Sequence, residues 1–363
     1  MTYKVHDPDA IITDRNGIVE NRHFIHVAVV DSTGRLLYTA GDPSRLTLIR
    51  SAAKPAQALA ILETGCLEEY GFDEADLALI CASHSSEDRH IARAKALMDS
   101  IGAVETDLQC GPHPANMPEI ERLWAKREFT PTPMYNNCSG KHAGMLAGAK
   151  MIGAEFKDYH EPDHAIQLRV KQVVEDLCGE QRDTVKWGND GCNLPAPALP
   201  LHLLGSMFAE FARAADVENH DGTNGTTSSS NHVQGCARVF RAMSSYPEMV
   251  AGEGRFCTAL MRAYEGALFG KVGACACYGV GVRESERTRQ LGAKGALGIA
   301  LKIEDGNIDM GYAAVAEVLE RLEIGSADTR KKLASFHKKE VLNTAGVVVG
   351  SVHYAFELRP TGA

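Results

Sequence analysis

Residues 51–63 read Ser-Ala-Ala-Lys-Pro-Ala-Gln-Ala-Leu-Ala-Ile-Leu-Glu, SAAKPAQALAILE. Alanine and leucine favour a helix over Lys54 to Glu63, and Pro55 suits only its first turn. Ser51 then stands at the helix start, and a spacing of three puts Ser51 and Lys54 on one face, one turn apart. Upstream, Phe24 to Val30 and Leu36 to Ala40 read as strands around the turn Asp31-Ser32-Thr33-Gly34, a hairpin. Downstream, Leu77 to Cys81 is a short apolar strand or helix end, and Glu87 to Ser100 has helical periodicity. Helices are expected at roughly 140–152, 163–178, 199–214 and 234–245, with a glycine- and serine-rich surface loop from Asn219 to Ser230. Strands return in Val272 to Val282, in Ala296 to Ile303 before the turn Glu304-Asp305-Gly306, and in Val347 to Leu358, with a helix over Tyr312 to Leu322. Strands at both ends bracketing helices predict an α+β fold: an antiparallel sheet built from N- and C-terminal strands, flanked by helices, with a mostly helical middle at 85–265. The whole reads as one domain, 12–358, whose termini meet in the sheet.

The 363 residues are 44% hydrophobic and 23% charged, the balance of an ordinary globular protein. A net charge of -9 disfavours a nucleic-acid partner, because a polyanion is repelled. The polar start carries no apolar run that would read as a secretory signal, and no stretch is long enough for a membrane span, so a cytoplasmic location is expected. Ten cysteines without an export signal do not suggest a disulfide framework; Cys66, Cys178 and Cys257, among apolar neighbours, read as buried thiols.

The Ser51–Lys54 pair has the S-x-x-K form. A lysine amine that loses its proton through desolvation or a neighbouring cation can take the serine proton, and free N–H groups at the helix start can hold an oxyanion. Alone the motif also fits an ordinary helix cap. Two features strengthen it. Ser83, in Cys81-Ala82-Ser83-His84-Ser85-Ser86, emerges right after an apolar segment, and Ser85 or Ser86 can cap the next helix. Lys271-Val272-Gly273 opens a strand of small residues, where the glycine would let a ligand backbone approach. The order S-x-x-K, loop serine, K-x-G resembles that of the serine β-lactamases and penicillin-binding proteins. It departs from them in lacking Asp or Asn after Ser83 and in having valine at 272.

The runs SAAKPAQALAILE, CASHSSEDRHIARAKAL, NNCSGKHAGMLAGA, WGNDGCNLPAPALPL, MVAGEGRFCTALMRA and GALGIALKIEDGN together resemble the rhizobial-type (class 3) L-asparaginases, over about Ile12 to Leu358. That resemblance implies a β-lactamase-like fold and a homodimer that hydrolyses L-asparagine to aspartate and ammonia with little use of glutamine. It implies two Ser-Lys pairs, Ser51 with Lys54 and Ser83 with Lys271. Spacing does not decide which serine is acylated; the resemblance favours Ser51.

Two glycine- and asparagine-rich segments each hold a cysteine: Asn136-Asn137-Cys138-Ser139-Gly140-Lys141-His142 and Asn189-Asp190-Gly191-Cys192-Asn193. Neither has C-x-x-C spacing. Cys138 and Lys141 are one turn apart, and Asp190 and Cys192 point to one side of an extended segment. Two thiolates, a carboxylate and an amine can complete a tetrahedron around zinc. The resemblance places zinc on Cys138, Lys141, Asp190 and Cys192. A closed set of four leaves no position for water, so the ion reads as an organiser of the substrate pocket. No organic cofactor is expected. For the substrate, Arg50 and His142 adjoin these elements, an arginine can grip an α-carboxylate, and Asp190 or Glu253 can meet an α-ammonium. The competing readings are another serine hydrolase of this kind (a glutaminase, a β-lactamase or an esterase) and a non-enzymatic zinc protein that binds asparagine.

Overall fold

A computed structural model describes residues 9–221 and 231–362. The chain divides into two compact units. One comprises Met1–Ala52, Ala198–Asp216 and Ala263–Ala363; the other comprises Ala53–Pro197 and Val217–Arg262.

The first unit is built on an antiparallel sheet. Across it the strands run Glu340–Leu342, Val348–Ala355, Ala10–Arg15, Ile18–Asp31, Leu297–Ile303, Cys277–Val282, Leu268–Gly273. Leu36–Ala40 pairs with the later half of Ile18–Asp31 and with Arg359–Pro360. The sheet of N- and C-terminal strands expected from the sequence is therefore present, and the chain ends meet: Ala10 faces Ala355, and Asp9 binds Arg359 at 2.7 and 2.9 Å.

The small residues of the later strands have a packing reason. A Cβ on Gly298 would strike the carbonyl of Gly205, in the helix Leu201–Asp221, and one on Gly279 would strike Phe208 of the same helix. The glycines let that helix lie directly on the sheet. The helix Ile308–Arg321 packs on Leu297–Ile303 and Cys277–Val282 as well. All seven residues of Leu297–Ile303 are accordingly buried, which erases the alternation of a one-faced strand.

The second unit is mainly helical. All nine residues of the helix Lys54–Leu62 are buried, and it packs against the helices Ser139–Met151, Ala165–Leu177 and Asn231–Ser245. In Ser139–Met151, glycines four residues apart make one smooth stripe: a Cβ on Gly140 would overlap Leu79, and one on Gly144 would press on Ile80. That close approach holds Lys141 and His142 deep in the unit.

Of the two readings of Leu77 to Cys81, strand or helix end, the second holds: Leu77 to Ile80 close the helix Glu74–Ile80, with Cys81 as its C-cap, and that helix opens on a reciprocal cap between Asp73 and Asp76. Other expectations need correction. Neither Ser85 nor Ser86 caps the next helix. Their hydroxyls donate to the carbonyls of Ala251 and Tyr135, while the helix Asp88–Ser100 begins at Glu87, whose N–H is held by His90 Nδ1 at 3.1 Å. Val272 to Val282 is two strands, joined by a turn in which Cys275 and Ala276 both have positive φ. Ala10–Arg15 has too short an apolar run to be recognised alone. Of the loop expected at Asn219 to Ser230, residues 219–221 continue the helix Leu201–Asp221, and the rest lies outside the described residues.

Replacing Gly298 with alanine forces a methyl group into the Gly205 backbone. We expect Gly298→Ala to cost roughly 3 kcal/mol or more of stability. Urea unfolding of wild type and variant measures it; an unchanged midpoint would show that the helix–sheet contact is not this close.

Candidate functional site

The expected site residues fall in both units. In the sheet unit, Ser51 sits half-buried in the 3-10 turn Arg50–Ala53, and Arg50 opens that turn with φ of 51°. A left-handed conformation at a residue with a Cβ is strained, and it sets the direction in which the chain enters the Ser51 turn. Lys271 is buried in Leu268–Gly273, and its Nζ donates to the carbonyl of Val272 at 2.9 Å. A Cβ on Gly273 would meet the Ile49 carbonyl and the Ala52 N–H. The glycine of the K-x-G motif thus admits the protein's own Ser51 turn, where the sequence suggested a ligand backbone.

In the helical unit, Lys54 is fully buried at the start of Lys54–Leu62. Its Nζ donates to the carbonyl of Ala82, to Ser83 Oγ at 3.0 Å and to Cys138 Sγ at 3.2 Å. Three donors meet three acceptors, which a buried amine requires. Ser83 is held by its own N–H, which donates to Val250 O at 2.9 Å. The next residue, His84, donates its N–H to Asn137 O, accepts from Ser86 N–H at Nδ1 and places Nε2 3.0 Å from Ser139 Oγ. Burial, then His90 and Lys54, hold His84 far below its ordinary range, so it is neutral and its Nε2–H donates to Ser139. The Ser83–Ser86 loop is pegged at every residue, so the hydroxyl facing Lys54 has little freedom.

The cysteine segments also converge. Lys141 Nζ donates to Cys192 Sγ at 3.0 Å, and Cys138 and Cys192 share a hydrogen bond. That bond and the Lys141 charge, against burial, push the Cys192 thiol down to about 5, while the same bond and burial push Cys138 up to about 12. Burial opposes the charge on Lys141, but the Cys192 and Cys138 sulfurs overcome it and raise Lys141 above its usual value. The protein alone thus holds a buried thiolate–ammonium pair with a thiol donating into it. Asp190 adds negative charge to this group, with its Oδ1 accepting from Gly191 N–H at 2.7 Å. Among the described residues no three His, Cys, Asp or Glu side chains are placed to hold a metal ion. The donors that do meet, two sulfurs and an amine, are of the kind a thiophilic divalent ion accepts, so Cys138, Lys141 and Cys192 fit such an ion.

His142 follows Lys141 and is fully buried; burial and the Lys141 charge push it down to about 3. Its Nδ1 lies 2.5 Å from the hydroxyl of Tyr159. Glu253, a sequence candidate for the substrate ammonium, is surface-exposed and gripped by Arg262 at 2.6 and 2.8 Å. Asp190 is left as the better-placed acid. Sequence reasoning missed the Lys54–Ser83 contact, 29 residues apart, as well as Tyr159, Ser139 and the backbone pegs around Ser83. No local pattern announces any of them.

A family model described as L-asparaginase II matches residues 11–354. No curated protein matches the chain. Among solved structures, one described as "Crystal Structure Analysis of Mglu" is similar at 16% identity, covering 84% of this chain and 69% of its own, with a TM-score of 0.38.

A thiol held near 5 is ionised at neutral pH. In chelator-treated protein we expect one thiolate at pH 7, seen as absorbance near 240 nm, that bleaches as the pH falls through about 5 and is missing in Cys192→Ser. Equal absorbance in the variant would refute the assignment.

Proposed function

The chain belongs to the L-asparaginase II family, and on that premise we propose that it hydrolyses L-asparagine to L-aspartate and ammonia through a Ser-Lys acyl-enzyme. The observation that carries the chemistry is the buried contact of 3.0 Å between Lys54 Nζ and Ser83 Oγ. A lysine that is neutral at the moment of reaction keeps two donors and gains a lone pair, so one of its three partners must reverse and donate to it. The Ser83 hydroxyl can do so; the carbonyl of Ala82 cannot, and the Cys138 thiol proton is already given to Cys192. The contact is thus a route by which a hydroxyl proton reaches Lys54.

In this reading, which takes the acylated serine from the family resemblance, Ser51 Oγ attacks the side-chain amide carbon of asparagine and its proton passes to Lys54, whose own hydrogen bonds go to Ala82, Ser83 and Cys138. The tetrahedral intermediate collapses as that proton goes to the leaving nitrogen, which departs as ammonia. Water then attacks the acyl carbon, giving aspartate and restoring the Ser51 hydroxyl. Ser83 relays protons with Lys54, and the role proposed for Lys271, holding the pocket positive, is what the resemblance alone implies. Arg50, His142 and Asp190 orient the amino-acid end of the substrate. Zinc held by Cys138, Lys141, Asp190 and Cys192 would organise the substrate pocket, fixing these side chains beside the bound amino acid. A β-lactamase-like topology and a homodimer are parts of the proposal that rest on the resemblance, and a cytoplasmic location is proposed beside them. A second assignment has a specific observation behind it: Ser83, as the hydroxyl bonded to Lys54, is itself a candidate nucleophile.

Ammonia release from L-asparagine tests this. We expect Ser51→Ala and Lys54→Met each to lose roughly 10³-fold or more in kcat, and Ser83→Ala to retain more activity than Ser51→Ala. Ser51→Ala retaining most activity while Ser83→Ala loses it would move the nucleophile to Ser83. Full activity in Lys54→Met would sink the Ser-Lys mechanism. Removing bound zinc with a chelator is expected to raise KM more than it lowers kcat; protein purified without zinc and unaffected by the chelator would remove the metal from the reading.

A further inference from the structure

His142 presents an unusual hydrogen-bond count. It is fully buried, its Nδ1 is 2.5 Å from Tyr159 Oη, and its Nε2 has no partner among the described residues. Tyr159 is itself fully buried, and its oxygen accepts the N–H of Gln109 at 3.0 Å. Only three arrangements of the protons are available. If Tyr159 donates to Nδ1, the proton of the imidazole sits on Nε2, and a single group, the Nε2–H, lacks a partner. If Nδ1–H donates to Tyr159 instead, the tyrosine proton has no acceptor and the Nε2 lone pair has no donor. If the ring carries both protons, the tyrosine proton and the Nε2–H are unpaired and a charge is buried beside Lys141 as well. Unpaired buried polar groups are costly, so the first arrangement prevails.

We infer that Tyr159 is a positioning residue: by donating its hydroxyl proton to His142 Nδ1 it fixes the imidazole as the Nε2–H tautomer, a buried donor preset for a carboxylate oxygen of the bound amino acid. This rests on the asparaginase reading, which supplies a ligand with such an oxygen. Two further features agree. His142 directly follows Lys141 and lies one helical turn beyond Cys138, so the donor belongs to the segment that carries the sulfur and amine donors. An Nε2 that carries a proton has no lone pair for a metal, which explains how a histidine beside Lys141 can serve the ligand and not the ion. Among the described residues, His160 Nδ1 and Gln167 Oε1 are the other buried side-chain atoms without a partner, the latter on a side chain whose Nε2 donates to Tyr159 O at 2.9 Å. A buried water on His142 Nε2 is the rival occupant, and the experiment must tell the two apart.

The full-length protein labelled with ¹⁵N-histidine, titrated with L-aspartate, makes the test. Long-range ¹H–¹⁵N correlations report the tautomer of each neutral histidine, and the His142 signals are those missing from His142→Gln. The expected result is an Nε2–H pattern for His142 in wild type, a shift of that nitrogen on saturation with L-aspartate, and mixed tautomers in Tyr159→Phe. Tyr159→Phe should weaken L-aspartate by about tenfold and raise KM for asparagine more than it lowers kcat. In a His142→Gln background, where the amide supplies its own N–H, Tyr159→Phe should add less than about twofold. His142→Gln should weaken L-aspartate less than His142→Phe, a comparison that stands even if Tyr159→Phe fails to fold. The inference is overturned by an Nδ1–H pattern in wild type, by an equal effect of Tyr159→Phe in both backgrounds, or by a His142 nitrogen that L-aspartate leaves unmoved, which would assign the donor to buried water. An unmoved nitrogen in a protein that still releases ammonia from asparagine refutes this inference alone. Absence of ammonia release refutes the asparaginase reading beneath it.

Discussion

The helical unit depends on one buried amine. Lys54 stands in a helix whose every residue is out of solvent, and its Nζ finds acceptors on Ala82, Ser83 and Cys138. Those acceptors come from two separate segments, so a single nitrogen ties the start of the Lys54–Leu62 helix to the Ser83 loop and to the start of the Ser139–Met151 helix. Leaving a lysine nitrogen without partners in such a place would cost several kcal/mol. The segments must therefore arrive together, and the pegs on Ser83, His84, Ser85 and Ser86 make sure they do.

A second electrostatic centre is linked to the first through Cys138, which accepts from Lys54 and shares a hydrogen bond with Cys192. The proton is divided unequally between the two sulfurs because the same bond cannot stabilise two thiolates at once. Cys192, with Lys141 beside it, takes the charge; Cys138 keeps its proton. The result is a pair of lysines, a thiol, a thiolate and a serine in one buried chain of contacts. Such clustering of perturbed groups is characteristic of functional sites.

The sheet unit meets a different constraint. Its glycines are places where another backbone or ring must come within contact of the strand: the Gly205 backbone at Gly298, Phe208 at Gly279 and the Ser51 turn at Gly273. The last of these couples the strand that carries Lys271 to the turn that carries Ser51. The strained backbone at Arg50 is held at the same junction. Backbone strain persists where surrounding contacts over-determine it, and the strand at Gly273 comes against the residues on either side of Arg50, at the Ile49 carbonyl and the Ala52 N–H.

The sequence by itself determined the periodicities and the punctuation. The hairpin flanking Asp31-Ser32-Thr33-Gly34, the helices after Lys54, Glu87 and Ser139, and the return of strands from Val272 all follow from local preferences, and local preference is what a linear pattern records. It also held the chemical vocabulary of the site, because a serine three residues before a lysine and cysteines among asparagines and glycines are unusual enough to notice. Only the tertiary structure decided who meets whom. Lys54 bonds Ser83 and not a neighbour in sequence, Cys138 finds Cys192 from another segment, and Tyr159 reaches back to set His142. Between strand and helix end at Leu77 to Cys81, both open to the sequence, the Asp73 cap and packing decided for helix end. Contacts of this kind are paid for by burial, which depends on the whole chain, and no window of residues contains it.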